Sequence, residues 1–546
     1  MSLAKLDGQS QLFSTAAMTG QVFAADDRFR LFAQKIYPLL VQAREKMEAA
    51  YSANNGRPGI EPVTLLGVSV LQYLEGMPDR QAVEQLRYHA GWNLALNRTI
   101  GQEVFHPTVL VYFRQRMIEH KLSEVIFSTI LQTLIAEGLV ERSGRQRIDS
   151  TQMFGLVAQM SRTENVRETL RLALKELDEV SLNKPEWWTS LWERYICNKL
   201  DYRLSGQQLK ERMIQSAVDG LQILTWLKGL DHPKVAEGPQ VKLLARVLEE
   251  NFTWTEGAKP MEREAQPPGA VHNPHDPQAE WAAKGKGKHR KEHIGYKIQV
   301  AESVQGERLA PNEPTRSFLT GILTQPATAS DKAGAELVEK QQEQNGLEKP
   351  SELYVDAAYL STEKLIEAKK EGRQIIGPVP RGPVKEGRFS VDDFEVNVEQ
   401  QQVRCPGQHL SNRCIRIANH TGEVTYRFEW VGLCQSCPLK SKCIGKHLKH
   451  RSITVSENHA VLQERRREQQ TEGFRKKMQQ RNAIEGTQSE LVRAHGIRRA
   501  RYRGFKKVEW QNFLAGAACN AKRWIRRIIW EMKTARAALE PAMMSG

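Results

Sequence analysis

Apolar positions fall at helical spacing near the start of the chain, alternate in its middle, and return to helical spacing towards its end. Phe29, Leu31, Phe32, Ile36, Leu39 and Leu40 share one face of a helical repeat, and the pattern stays helical from Asp26 to about Leu139. Val63 to Leu74 is a nearly unbroken apolar run closed by Gly76, Pro78-Asp79 opens the next helix, and Thr108 caps one carrying Phe113-Arg114-Gln115-Arg116. Arg145 to Met153 then reads as a short strand containing a single acidic residue, Asp149. Residues 160 to about 250 return to the helical period (ETLRLALKELDEV, VKLLARVLEENF), and a Pro/Gly/His-rich stretch up to Gly295 is predicted as loop. Beyond it the spacing predicts strands at Tyr296–Ala301, Phe318–Leu323, Leu353–Asp356 and Gln374–Val379, with helices at Lys332–Asn345 and Thr362–Glu371 between them. Asn458 to about Arg493 predicts one long, highly charged helix, and Val508 to Met532 a last one bearing Trp510, Phe513, Leu514, Trp524 and Ile528.

This order predicts an α/β core built on a mixed sheet with helices on its faces, joined to an all-α N-terminal domain. Interruptions of the pattern divide the chain into a flexible, poorly ordered leader at 1–25, a helical domain at 26–140 whose exposed Arg and Lys suit DNA binding, and a core at 141–390 that carries a helical insertion at about 160–255. A small cysteine-rich insertion follows at 391–455, and a charged helix with a basic C-terminal region at 456–535. Strand, insert, strand, strand, helix, strand, helix, strand is also a ribonuclease-H-like order, with Asp149 on the first strand and Asp356 on the fourth.

Charge narrows the partner. The chain holds 79 Lys and Arg against 64 Asp and Glu, a net +15, which favours a polyanion, nucleic acid before anionic membrane. A membrane span is not expected, because Val63–Leu74 is too short and contains Gln72. The first residues lack the apolar centre of a secretion signal, so a cytoplasmic, nucleoid-associated protein is expected. Five of the seven cysteines crowd between 405 and 443, a pattern suited to metal in a reducing compartment. Cys434-x2-Cys437 is a tight turn that aims two thiolates at one ion; Cys405 and Cys443 complete a candidate structural zinc set, with Cys414 as the rival to Cys405.

Three carboxylates stand out. Asp356 ends an apolar strand, Leu353-Tyr354-Val355, where it either caps the turn into the next helix or delivers a charge to the carboxyl edge of a sheet. With Asp149 and Glu485 it forms a candidate set for two Mg²⁺ (or Mn²⁺) ions about 3.5–4 Å apart, Asp356 bridging both. Arg481 lies one helical turn before Glu485 and is either its ion-pair partner or a phosphate contact. Lys286, Lys288, Arg493, Arg498, Arg499 and Arg501 are further candidates for DNA backbone contacts. His289 and His293, four apart among Lys and Arg, read as part of a basic loop touching phosphate rather than as a metal pair.

Arg147-Ile148-Asp149-Ser150-Thr151, Tyr354-Val355-Asp356-Ala357-Ala358-Tyr359 and Arg481-x3-Glu485-Gly486 resemble the three acidic motifs of bacterial insertion-sequence DDE transposases. The likeness extends to Gly56-Arg57-Pro58, Gly295-Tyr296-Lys297-x-Gln299, Cys434-x2-Cys437-Pro438-Leu439 and Arg503-Gly504, and covers roughly residues 25 to 530. Within that superfamily it resembles the group with an N-terminal helical transposase domain and a cysteine-bearing insertion before the catalytic Glu. It implies a ribonuclease-H-like core that hydrolyses DNA at the ends of an insertion sequence and transfers the freed 3′-OH into target DNA. Partners would be terminal inverted repeats, target DNA and a second copy of the chain. An inactive DNA-binding descendant and a nuclease that does not join strands are the alternatives. Where related enzymes carry Tyr and Lys around the Arg-x3-Glu motif, this chain has Met478 and Val492, so those roles do not transfer. Arg493 is the nearest substitute for the Lys.

Overall fold

The computed structural model describes residues 2–3, 15–19, 22–52, 56, 59–180, 182–198, 204–230, 232–255, 257–285, 287–306, 310–380, 387–418, 424–445 and 447–544; Lys286 and the pair Arg57-Pro58 lie outside them. Six strands make the central sheet: β1 (Gln146–Phe154), β2 (Glu280–Lys284), β3 (Lys291–Ser303), β4 (Leu319–Pro326), β5 (Glu352–Tyr354) and β6 (Gln374–Ile376). Their order is β2-β3-β1-β5-β6, with β4 pairing on β3. β3 is the spine. It runs antiparallel to β1 from Gln146↔Ser303 to Phe154↔Gly295, and antiparallel also to β2 and β4. β1–β5 and β5–β6 are parallel, so the sheet is mixed.

Helices cover both faces. The N-terminal set is α1 (Tyr37–Glu48), α2 (Pro62–Glu75), α3 (Asp79–Tyr88), α4 (Thr108–Glu119) and α5 (Val125–Ala136). The insertion between β1 and β2 holds α6 (Arg162–Asp178), α7 (Gly206–Lys228) and α8 (Pro239–Asn251), and the core adds α9 (Asp331–Gln344) and α10 (Thr362–Lys370). α11 (His459–Glu468), α12 (Glu472–His495) and α13 (Phe505–Met544) finish the chain. On one face Ile148, Ala301, Leu353 and Val355 pack with Ala335, Val338 and Leu365 of α9 and α10. On the other, Met153, Tyr296, Ile298 and Val300 join one continuous core with α13 and the N-terminal helices.

α13 sits at the centre because its middle is small. Ala515, Ala517, Ala518 and Ala521 are buried, and a Cβ added at Gly516 would stand 3.1 Å from both Ile322 of β4 and Phe127 of α5. Close approach from both sides therefore requires the alanine-glycine run. Asn520 latches this helix to β4, accepting from Leu319 N–H at 2.8 Å and donating to the Leu319 carbonyl at 2.9 Å, which covers part of an edge strand. The insertion packs a separate cluster around Val166, Leu170, Leu174, Leu244 and Val247. The cysteine-bearing region has its own small core of Phe394, Val403, Phe428, Trp430, Ile453 and Val455.

Three expectations need correction. The stretch read as loop before Gly295 contains β2 and the start of β3, with Trp281 opposite Ile294. Asp356 therefore follows the fifth strand rather than lying on the fourth, and His293 is a strand residue bonded to Gln152 Oε1 at 2.7 Å instead of a loop cation. Gly295 makes this crossing possible, because a Cβ there would fall 1.9 Å from the Met153 carbonyl oxygen. The single helix expected over 458–493 is two, α11 and α12, since the Thr471 hydroxyl accepts from Phe474 N–H at 3.2 Å and starts a new helix. In the leader, Thr15–Thr19 is helical and the Thr15 hydroxyl bonds the Arg98 carbonyl. Among the described residues no helix is long and apolar enough to cross a membrane.

Candidate active site

β1 continues past its parallel neighbour. β5 pairs with it only at Gln146↔Leu353 and Arg147↔Tyr354 and then ends, so Asp149 and Asp356 each lie two residues beyond the same paired rung. Alternation along the strand sends Asp149 to the face it shares with Arg147, the face that α12 covers. Asp356 caps a short turn, Ala357–Tyr359, accepting from Ala358 N–H at 2.7 Å. The following helix has its own cap in Ser361. Asp356 thus holds its turn with one oxygen and offers the other outward.

The other oxygen meets Arg481. Its NH2 lies 3.3 Å from Asp149 Oδ2 and 3.8 Å from Asp356 Oδ2, so one guanidinium stands between both carboxylates. Arg481 makes this bridge instead of an ion pair with Glu485; among the described residues Glu485 is exposed and has no hydrogen-bond or ion-pair partner. Arg481, Glu485 and Gln488 nevertheless form one stripe along α12. Gln488 donates to the Ser150 carbonyl at 3.3 Å, so both flanking members touch β1 at Asp149 and Ser150, and Glu485 lies between them. Phe474 and Met478 anchor the start of α12 against Val304, Tyr354 and Ile376, giving Met478 a packing role at the position where related enzymes carry Tyr.

Burial raises the pKa of Asp149; the Ser150 N–H and Arg481 pull it back, Asp356 pushes it further up, and Lys284 lowers it. Tyr359 lies beneath the pair. Burial raises its phenol, and Asp331 and Asp149 add to the rise; its hydroxyl donates to Gln299 Oε1 at 2.5 Å, tying the Asp356 turn to β3. Gln299 in turn donates to Asp331 at 3.1 Å, and Lys297 pairs with Asp331 at 3.2 Å. Nothing in the local sequence marks Lys284 or Gln488 as part of the site. Tyr359 and Gln299 lie within the sequence motifs, and only the pairing of β3 with β1 shows why they belong together.

The basic candidates separate into kinds. Lys288, Arg493, Arg498 and Arg499 are exposed; Arg498 reaches the Gln152 carbonyl at 3.2 Å, and the backbone around Arg499 adds to the end of β1 beside Phe154. Arg501 is engaged inside the fold, donating to the Met77 carbonyl at 2.8 Å with its guanidinium 4.5 Å from the Tyr73 ring centre.

Cys405, Cys434, Cys437 and Cys443 line one cavity of about 20 Å³, room for a single small ion or water, together with Gly407, His409 and Arg451. A Cβ at Gly407 would come within 3.1 Å of Cys437 Sγ and 3.6 Å of Cys405 Sγ, so glycine leaves the thiols their space. Burial pushes the Cys443 thiol up to about 11 against the pull of Arg451, and Cys434, Cys405 and Cys437 add to the rise. Cys414 stands apart, in a strand opposite Phe428. Among the described residues the one group of three possible ligands within 4.8 Å of each other is Glu490, His495 and Cys519. Arg523 at 2.9 Å and Lys522 at 4.0 Å already neutralise Glu490 there, which disfavours a further cation. The four thiols surround their cavity without closing on one point.

Residues 404–525 match the family model described as Transposase DDE domain, and residues 19–116 match the one described as Transposase domain (DUF772). The first range includes Glu485 and the four clustered cysteines; Asp149 and Asp356 fall outside both. No curated protein and no solved structure matches the chain.

Proposed function

With the chain an insertion-sequence DDE transposase by its two family matches, we propose that Asp149, Asp356 and Glu485 form the active centre of a ribonuclease-H-like core that cuts and joins DNA. One observation carries the reading: two carboxylates, Asp149 on β1 and Asp356 in the turn just beyond β5, converge on a single cation, the Arg481 guanidinium. A guanidinium held by two carboxylates stands where a metal ion would be ligated. The oxygen-only donor set suits Mg²⁺ or Mn²⁺, which keep waters and need few protein ligands. Asp149 and Asp356 would hold such ions, with Glu485 completing the set from α12. Bound there, divalent cations supply activation of the attacking oxygen and stabilisation of the leaving one.

The chain's own residues do the placing. The turn at Ala357–Tyr359 fixes Asp356, Ser150 N–H fixes Asp149 at 2.8 Å, and Arg481, released from the carboxylates, becomes a donor for a DNA phosphate. In the first reaction water adds across a phosphodiester at the element's end, breaking the P–O3′ bond and leaving a 3′-OH. In the second that hydroxyl attacks a target phosphodiester, whose own 3′-oxygen leaves with a proton. Lys288, Arg493, Arg498 and Arg499 are the candidate backbone contacts, joined by Lys286, and pairing two ends requires two copies of the chain. Cys405, Cys434, Cys437 and Cys443 fit a structural zinc, which would draw the thiolates together and order the insertion.

The test is Mg²⁺-dependent cleavage of terminal inverted repeats taken from the DNA flanking the gene. Asp149→Asn, Asp356→Asn and Glu485→Gln should each abolish cleavage while end binding survives. Full cleavage by Asp356→Asn refutes the assignment; cleavage without strand-transfer products would make the protein a nuclease; binding without cleavage by the unaltered chain would make it an inactive relative.

A further inference from the structure

We propose that Arg147 is a positioning residue: it sets α12 against β1, and so places Arg481 and Glu485 beside Asp149. The inference rests on the carboxylate reading above. Arg147 and Asp149 are two residues apart on β1, so both side chains leave the same face of the sheet. Arg147 NH1 donates to the Gln480 carbonyl at 2.8 Å. The next residue, Arg481, is the one whose guanidinium meets Asp149 at 3.3 Å. A single strand therefore carries both the acid and the clamp that holds the helix opposite it.

The acceptor matters. A carbonyl within a helix already accepts from the N–H four residues on, and its second lone pair is free for Arg147 without fraying the helix. Gripping backbone fixes the helix itself, whereas gripping a side chain would fix one rotamer. The guanidinium is aimed from its other edge. Nε donates at 2.6 Å to Glu302, the cross-strand partner of Arg147, and NH2 reaches Ser317 Oγ at 3.3 Å. Glu302 is fully buried and is itself held, accepting from Thr487 Oγ1 at 2.7 Å and from Arg523 NH1 at 2.9 Å. Arg523 NH2 donates to Thr487 Oγ1 at 2.7 Å and its Nε to Glu490 at 3.0 Å. Two arginines and two glutamates thus join β1, β3, α12 and α13 in a network of balanced charge, and Thr487 and Glu490 belong to the same helix that Arg147 grips.

Arginine is required here for its shape. Its donors point in fixed, planar directions, and three separate acceptors use them; an ammonium of the same charge cannot span Glu302, Gln480 and Ser317 together. Positioning of this kind has large kinetic leverage, since about 1 Å of misplacement costs roughly 100-fold in rate.

Arg147→Lys in the full-length protein tests the proposal with two readouts. In DNA-free protein, hydrogen exchange over Met478–Gln488 should rise at least about tenfold while α5 and α8 are unchanged, reporting local opening of the gripped segment. With DNA ends and Mn²⁺, kcat for cleavage should fall roughly 10- to 100-fold with KM for DNA unchanged within about twofold. Unchanged exchange in α12, or faster exchange with kcat intact, overturns the proposal, as does an equal loss spread between KM and kcat. An unaltered chain that fails to cleave counts against the carboxylate reading, and exchange alone then decides the role of Arg147. Should Arg147→Lys not fold, Thr487→Val loosens the same network without stranding a charge, and the same pair of changes, smaller in size, is expected.

Discussion

Glu302 is the residue whose loss the fold should feel most. Its carboxylate is fully buried and accepts from Arg147 Nε at 2.6 Å, Thr487 Oγ1 at 2.7 Å and Arg523 NH1 at 2.9 Å. Glu302→Ala removes all three bonds and leaves two buried guanidinium groups short of their counter-charge. Removing one partner of a buried ion pair costs about 3–5 kcal/mol, most of it the penalty of the charge left behind. Amides of β3 and of α12 between Ile484 and Leu491 report on that opening by native-state hydrogen exchange. The corresponding acceleration is roughly two to three and a half powers of ten, since about 1.4 kcal/mol is tenfold. The comparison is Lys476→Ala on the same helix, whose pair with Glu472 at 3.4 Å has side chains 73% and 82% exposed. An exposed pair of that spacing contributes about 0.3–0.5 kcal/mol, so its loss should leave the same amides within about threefold. Glu302→Gln should fall between the two, because the amide still fills the space and accepts one bond. The reasoning fails if Glu302→Ala accelerates exchange no more than Lys476→Ala does.

Acid sensitivity follows from two other buried groups. Burial holds His459 and His495 neutral, lowering each pKa to about 4 from an ordinary 6.5, and among the described residues neither Nε2 has a hydrogen-bond partner. Above pH 6.5 both contribute in full; as pH falls towards about 4 the unfolded chain takes up protons that the folded chain refuses, costing up to about 1.4 kcal/mol per pH unit for each ring. The melting temperature should therefore drop steadily between pH 6.5 and 5 and less steeply in His495→Gln; a flat profile in the unaltered protein contradicts this. Gly295→Ala puts a methyl 1.9 Å from the Met153 carbonyl oxygen, which cannot be relieved by a rotamer change, and should destabilise by about 3 kcal/mol in urea titration. A change below about 0.5 kcal/mol would mean that β3 shifts freely there. Cys437→Ser should abolish zinc content measured by elemental analysis and lower the melting temperature of the insertion, whereas Cys414→Ser should do neither; a zinc-free unaltered protein removes the zinc assignment.

How much of this could be read before the fold was seen varies from element to element. The periodicities of α9 and α10 are plain, because burial on one face imprints a spacing that local sequence displays, and α2 is legible as an apolar run because it is buried nearly all round. Asp149, Asp356 and the Arg481–Glu485 turn stand out in the sequence because each sits at or beside a strand or helix with a recognisable local setting. The C-x2-C pair was equally visible, since two ligands on one turn need only local chain. The failures share a cause. β2 is a short strand that exists only because β3 passes beside it, and the break at Thr471 depends on a capping bond competing with helix propensity. Arg501 and Arg498 look alike in sequence, yet one lies on Tyr73 and the other on the surface. By itself, then, the chain determined which residues carry charge, which faces turn inward and which acids stand at the ends of elements. Tertiary structure alone decided that Arg481 spans the aspartate on β1 and the one in the turn after β5, and that Arg147 grips the helix carrying Arg481. The contacts of Arg147 with Gln480 and of Arg481 with Asp149 join residues more than three hundred positions apart, and nothing in a local pattern encodes the distance between two surfaces that meet only after folding.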